Sequence, residues 1–235
     1  MENSRKIVAI IQARMGASRL PGKVLKTIGD KPMLAYVVER AKRAKLIDEV
    51  VVATTTSPSD DAVVGYCSDS RLLCYRGSEE DVLDRYYQAA NHFGADIVVR
   101  LTADCPLLDP EVIDTVVEAF VGSDCDYVSN VDPPTFPDGL DTEVFSFTAL
   151  ARAWKEAELG SEREHVTPYL RKRDIFRTRN VVNDVDLSHL RWTVDTPEDF
   201  QLFCEIIERL GAEKAFGMNE VLVLMRDNPQ LETIN

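Results

Sequence analysis

The sequence predicts an α/β fold in which helices flank a mostly parallel, mixed central sheet within one domain. Short apolar runs alternate with longer amphipathic stretches, the pattern that parallel strands and crossover helices impose. A length of 235 residues suits a single α/β core. No internal repeat or low-complexity linker interrupts it.

The first strand is expected over residues 6–12 (KIVAIIQ), followed by a helix over 33–44 and a strand over 49–54 (EVVVAT). A helix over 60–68 with Ser59 as its cap leads to a strand over 72–75 and a helix over 80–93. The strand at 97–102 (IVVRLT) precedes a helix over 110–121, where Asp109 is the cap and Pro110 fills the first turn. A strand at 126–129 closes this half. The segment VDPPTFPDG carries three prolines and a glycine, which fixes a loop, and DTEVFSF resumes with strand-like alternation. Helices over 146–158 and 162–172, a strand over 176–182 and a helix over 197–210 complete the series, and residues 226–235 read as a loosely held tail.

Forty acidic against 27 basic side chains give a formal charge of −13. That balance repels polyanions and excludes a general DNA or RNA binder. No run approaches the roughly 20 apolar residues of a membrane helix, and the start MENSRK lacks the apolar core of a secretion signal, so a cytoplasmic protein without membrane partners is expected. The five cysteines are odd in number and contain no C-x-x-C pair. They suggest neither a disulfide framework nor a zinc site, only buried or semi-buried thiols.

The most informative segment is the connection leaving the first strand, Ala13-Arg14-Met15-Gly16-Ala17-Ser18-Arg19-Leu20-Pro21-Gly22-Lys23. Loops at the carboxyl ends of strands line the ligand crevice of an open α/β sheet, so a loop with three cations and two glycines belongs where an anion sits. Glycines let backbone N–H groups approach oxygens, and Arg14, Arg19 and the exposed loop lysine Lys23 supply charge-assisted donors. A Walker A loop is excluded, because five residues separate Gly16 from Gly22 and Val24 follows Lys23. There is no G-x-G-x-x-G motif either.

The stretch IIQARMGASRLPGKVL resembles the signature of the sugar cytidylyltransferases that make CMP-activated acidic sugars, a family that includes the CMP-Kdo and CMP-acylneuraminate synthetases. It is most similar to the spore-coat, SpsF-like branch. The likeness continues through Gly29-Asp30-Lys31-Pro32-Met33-Leu34, YRGSEEDVLDRY at 75–86 and VDTPEDF at 194–200. The resemblance implies a nucleotide-diphospho-sugar transferase fold of the GT-A-like type, with this loop wrapped round the triphosphate of CTP. It further implies nucleotide contacts from Ala13, Arg14, Gly16, Ser18, Arg19 and Lys23, from Thr102 and Ala103, and from Arg76. Arg14, Lys23 and Asp104 would be the catalytic group. The single domain then divides into a nucleotide-binding part at 1–130, an acceptor-binding part at 131–196 and C-terminal helices at 197–235.

A triphosphate needs its charge offset by a divalent ion, and Mg2+ takes few protein carboxylates. Asp104 follows the fourth predicted strand, and Asp195 precedes a proline-started helix. Asp109, Asp195 and Asp199 could each be helix-start residues instead, whereas Asp104 has no helix to cap. The resemblance implies that Asp104 and Asp195 are the metal-binding pair. One departure is that Kdo-type enzymes carry Gly-Asp-Glu-Pro where this chain has Ala-Asp-Cys-Pro, which points away from Kdo as substrate; nothing activates Cys105 as a nucleophile.

Asp138, Glu143, Glu164 and His165 are the candidate acceptor residues, the last two on a segment similar to the spore-coat branch and otherwise readable as a capped amphipathic helix. His92 and His189 read as surface residues, Asp84-Arg85 as a helix-surface pair, and Trp154 and Trp192 as core. The expected activity is transfer of CMP from CTP to a small acidic sugar or sugar-like acceptor with release of pyrophosphate, in cell-surface polysaccharide biosynthesis, with a homodimer as candidate assembly. Three rivals remain open. One is a polyol phosphate or phosphonate acceptor, and a second is a glycosyltransferase using Asp124-Cys125-Asp126 as its metal motif. The third is a silent binding module, against which the intact Lys23, Asp104 and Asp195 argue.

Overall fold

The computed structural model describes residues 5–212 and 214–235. Most of the MENSRK start therefore lies outside the described residues. Strand β1 (Ile7–Gln12) is the third strand of a seven-stranded sheet and is buried along nearly its whole length. A strand covered on both faces has no solvent side on which to place polar residues, hence its continuous apolar run. The hairpin β2 (Thr27–Ile28) and β3 (Lys31–Pro32) lies outside this sheet and leads into α1 (Met33–Arg43).

On one side of β1 come β4 (Glu49–Thr55) and then β5 (Leu73–Gly77); on the other comes β6 (Ile97–Thr102), and all four strands are parallel. Beyond β6 lies β8 (Glu143–Ser146), antiparallel to it, then β7 (Tyr127–Ser129) and the edge strand β9 (Thr178–Asn180). The predicted mixed, mostly parallel sheet is what forms, and DTEVFSF supplies its antiparallel member.

Side chains alternate across β1, so Ala9 and Ile11 pack on one face and Val8 and Ile10 on the other. The first face is covered by α1, α2 (Asp61–Asp69) and α4 (Pro110–Val121), and the second by α3 (Val82–His92) and α5 (Phe147–Glu156). A third apolar cluster joins Tyr36, Phe136 and Trp192 to α7 (Pro197–Leu210) and α8 (Met218–Asp227). Asp109 caps α4 as expected, its carboxylate accepting from the Glu111 N–H at 2.7 Å.

Four expectations fail for identifiable reasons. Ser59 does not cap α2, because a 3-10 turn over Pro58–Asp60 precedes that helix. The helix expected over 162–172 is only α6 (Gly160–His165). Pro168 offers no N–H and disfavours helical backbone at Thr167, so the chain leaves the helix through a γ-turn at Val166 (φ 68°, ψ −56°), with the Thr167 N–H donating to the His165 carbonyl at 2.8 Å. Arg85 is buried rather than part of a surface pair. Nor is the tail loose: after α8 a 3-10 turn at Pro229–Thr233 buries Leu231, and the Asn235 side chain donates to the Arg191 carbonyl and the Asp199 carboxylate. Leu231→Ala should therefore cost about 2–5 kcal/mol, the usual range for a buried leucine. Urea denaturation measures it, and a cost near zero would return the tail to solvent.

Candidate active site

A cavity of about 810 Å³ opens at the carboxyl ends of β1 and β6, where Gln12 and Thr102 are the terminal strand residues. The loop leaving β1 forms one wall, with Ala13, Arg14, Gly16, Ser18 and Arg19 facing the space. The loop is fastened at its start, because the Met15 N–H donates to the Asp60 carboxylate at 2.7 Å and the Ala17 and Gly22 N–H groups both return to the Met15 carbonyl. Gly22 sits at φ 70°, a left-handed conformation that glycine adopts without strain, and so turns the loop into the 3-10 segment Lys23–Leu25.

Lys23 is the point of convergence. It is not an exposed loop residue but 8 % accessible, and its ammonium donates to the Asp104 carboxylate at 3.1 Å, the Asp195 carboxylate at 2.8 Å and the Val194 carbonyl at 2.8 Å. The two aspartates come from segments 91 residues apart (195 − 104) and are brought together by backbone, with the Val194 N–H donating to the Asp104 carbonyl at 2.8 Å. Asp195 is not the helix cap. Thr196 fills that role, its hydroxyl accepting from the Asp199 N–H, while the Asp199 carboxylate returns to the N–H groups of Thr196 and Asp195. Asp195 is thereby left outside the helix, facing the cavity. Partial burial would raise its pKa, but Lys23, then Arg191 and Arg19, hold it below the ordinary carboxylate range.

Thr102, Ala103, Glu164 and His165 also line the cavity. The γ-turn at Val166 ends α6 at His165, and Arg163 ties that helix to the start of α3 through two bonds to the Asp81 carboxylate, at 2.8 and 2.6 Å. Three predicted site residues are not brought to this space. Arg76 straps the end of β4 by donating to the Thr55 and Ser57 carbonyls. Asp138 is paired with Arg191 at 2.8 Å. Glu143 is buried on the sheet between Arg100 and Arg171 and accepts from the Tyr127 hydroxyl at 2.5 Å. Conversely, the cavity takes in Gln12, Glu79, Glu80 and Arg85, which lie within the matching stretches but are not among the candidate site residues. For Arg85 a signal existed, since it lies three residues after the buried Val82 and four before the buried Ala89, on the inward face of α3.

The sequence model of the family described as Cytidylyltransferase matches residues 8–223, which takes in the loop, Asp104 and Asp195 together. The chain belongs to the cytidylyltransferase family.

As a member it is a nucleotidyltransferase, and two of its relatives match along nearly the whole chain. It is 39 % identical to an uncharacterized protein, MJ1063, of Methanocaldococcus jannaschii, over 98 % of this chain and 94 % of that one. It is 32 % identical to the spore coat polysaccharide biosynthesis protein SpsF of Bacillus subtilis, over 97 % of each. The 3-deoxy-manno-octulosonate cytidylyltransferase of Geobacter sulfurreducens matches at 40 % identity, over only 47 % of this chain and 44 % of its own. Among solved structures, a cytidylyltransferase from Leptospira borgpetersenii superposes with a TM-score of 0.91 at 33 % identity, covering 97 % of this chain and 96 % of that one. The glycosyltransferase alternative falls with these findings and with topology. Asp126 precedes β7, which runs in the direction of β6, so Asp124-Cys125-Asp126 lies at the end of the sheet away from the cavity.

His92 and His189 are exposed and Trp192 is buried, as expected, while Trp154 is half-buried and stacked on Tyr87. All five cysteines are free thiols. Burial, then Asp104, pushes the Cys105 thiol well above its ordinary range, so it stays protonated. Among the described residues no helix is long and apolar enough to cross a membrane.

Proposed function

We propose that this cytidylyltransferase transfers CMP from CTP to an oxygen of an acidic sugar or sugar-like acceptor, with release of pyrophosphate, as a cytoplasmic step of cell-surface polysaccharide biosynthesis. The observation that carries this reading is the convergence of Asp104 and Asp195 on the Lys23 ammonium beneath a loop bearing Arg14 and Arg19. Arg14, Arg19 and Lys23 offset the charge of the triphosphate, and the loop backbone from Ala13 through Gly16 to Ser18 shapes its cradle. In-line attack at the α-phosphorus is then a matter of positioning and of charge placed in advance. Glu164 and His165, fixed by the Arg163 clamp, bound the space left for the acceptor. The part played by SpsF, by its name, in spore-coat polysaccharide supports the pathway assignment.

The donor set fits a divalent ion, because two carboxylates already meet within 3.1 and 2.8 Å of one cationic nitrogen. Magnesium accepts one or two protein carboxylates and completes its shell with water and phosphate oxygens. Asp104 and Asp195 would hold it, and the bound ion would neutralise triphosphate charge.

CTP is favoured over UTP by what the backbone at the strand ends still has to offer. The Ala13 N–H donates to the Ala53 carbonyl at 3.1 Å and the Ala103 N–H to the Gln12 carbonyl at 3.0 Å, so these residues present acceptors rather than donors to a base. The 4-amino group of cytosine satisfies an acceptor, whereas the 4-carbonyl of uracil leaves it unpaired. Pyrophosphate release from CTP and UTP against a panel of sugar acids tests the proposal. CTP should be preferred by at least tenfold, and equal release from both would remove the cytidylyl assignment while leaving nucleotidyl transfer in place.

A further inference from the structure

Arg85 is buried with no carboxylate paired to it among the described residues, Asp60 and Glu79 acting on its charge only through space. It is 2 % exposed, lines the same cavity as Arg14, Glu164 and His165, and gives only one terminal nitrogen, Nη1, an acceptor: the Ser78 carbonyl at 2.7 Å. Its Nε is buried with no partner. Three neighbouring carboxylates are already engaged, and a fourth, Glu79, is exposed at the cavity and makes no hydrogen bond to Arg85. Asp81 accepts from Arg163, Asp84 from Trp154 and Gln88, and Asp60 from Met15 and Thr55. Burial draws the Arg85 pKa down and the like charge of Arg14 adds to that, while Asp60 and Glu79 oppose it without reversing it.

The fold nevertheless makes room for this side chain. A Cβ on Gly77, the last residue of β5, would lie 2.9 Å from Arg85 Cγ and 3.2 Å from its Cα, so only glycine lets α3 sit this close to the strand. A buried guanidinium without a counterion is costly unless the counterion arrives with a ligand.

We propose that Arg85 receives a substrate oxyanion, a carboxylate or phosphate, through the Nη2 of its guanidinium, the nitrogen that has neither a partner nor full burial. A guanidinium offers planar N–H donors suited to such a group. The proposal rests on the reading of this cavity as the transfer site and adds the group that selects an anionic partner there. The oxyanion has two sources, the nucleotide's phosphates or the acceptor's acidic group.

Calorimetric titration of the wild type and Arg85→Met with CTP, pyrophosphate and a panel of sugar acids including 3-deoxy-manno-octulosonate separates them. At least tenfold weakening of CTP and pyrophosphate assigns Arg85 to the phosphates, and the same loss confined to a sugar acid assigns it to the acceptor. Methionine keeps the stem volume and removes the unpaired charge, so Tm without ligand should equal or exceed that of the wild type; a purely structural arginine would lower it. Unchanged affinity for every anion that the wild type binds would overturn the proposal whatever the Tm, and a lowered Tm beside it would make Arg85 a structural residue. If the methionine variant does not fold, Arg85→Lys, which keeps the charge but loses the fork, takes its place in the same titrations. Failure of CTP to bind the wild type counts against the transfer reading alone, since pyrophosphate and sugar acids still report on the guanidinium.

Discussion

Lys23→Met should lower turnover by roughly 10- to 150-fold, the loss of one charge-assisted hydrogen bond to a phosphate worth about 1.5–3 kcal/mol. A surface lysine would do no more than that. Lys23, however, is also the cation on which Asp104 and Asp195 converge, at 3.1 and 2.8 Å. Its removal leaves the two carboxylates facing one another with only Arg19 and Arg191 still paired to Asp195. The variant should therefore melt lower than the wild type, and magnesium should recover more of its Tm than of the wild type's, because the ion then enters a site the ammonium no longer fills. Steady-state pyrophosphate release and melting curves with and without magnesium give both readouts. A normal turnover number would remove Lys23 from the phosphate cradle. No magnesium response in either protein would remove the carboxylate pair as an ion site.

Why the sequence exposed some of this site and hid the rest follows from range. The loop at 13–23 is local: its cations and glycines stand together in eleven consecutive residues, and the wall they form is the wall expected. The carboxylate pair is not local, and it is assembled by long-range bonds, from Val194 and Thr193 to the Asp104 carbonyl and from Lys23 to both carboxylates, that no spacing encodes. Composition gave no hint that Lys23 would turn inward, since lysine is ordinarily exposed. The C-terminal tail was misjudged for the same reason: Leu231 and Asn235 are held by partners from α7, α8 and Arg191, not by neighbours in sequence. In contrast, α7 and α4 carry their own start signals, Thr196-Pro197 and Asp109-Pro110, and both appear with the predicted bounds. Glu143 is the instructive failure among acceptor candidates, because a polar residue in a Pro-rich, irregular half reads as a site residue until its strand is seen to pair with β6.

Glu143→Gln should destabilise the protein by about 3–5 kcal/mol, the range for removing one partner from a buried ion network. The carboxylate is 2 % exposed, is paired with Arg100, and accepts hydrogen bonds from Arg171 at 2.6 Å and from the Tyr127 hydroxyl at 2.5 Å. Glutamine keeps the shape but leaves both guanidinium groups without compensation. Burial alone would raise the Glu143 pKa; Arg100 and Arg171 outweigh it and hold the group at about 2, below its ordinary value of 4.5. The sign follows from that depression. The unfolded chain binds the proton first as pH falls, so the stabilisation is complete above about 4.5 and is lost progressively towards 2. The gap between wild type and variant should accordingly be widest at neutral pH and narrow below about 4. Urea denaturation at pH 7 and pH 3.5 measures both. A gap that stayed constant with pH would mean that the charge contributes nothing, and an unchanged stability with a raised acceptor KM would restore Glu143 as a substrate ligand.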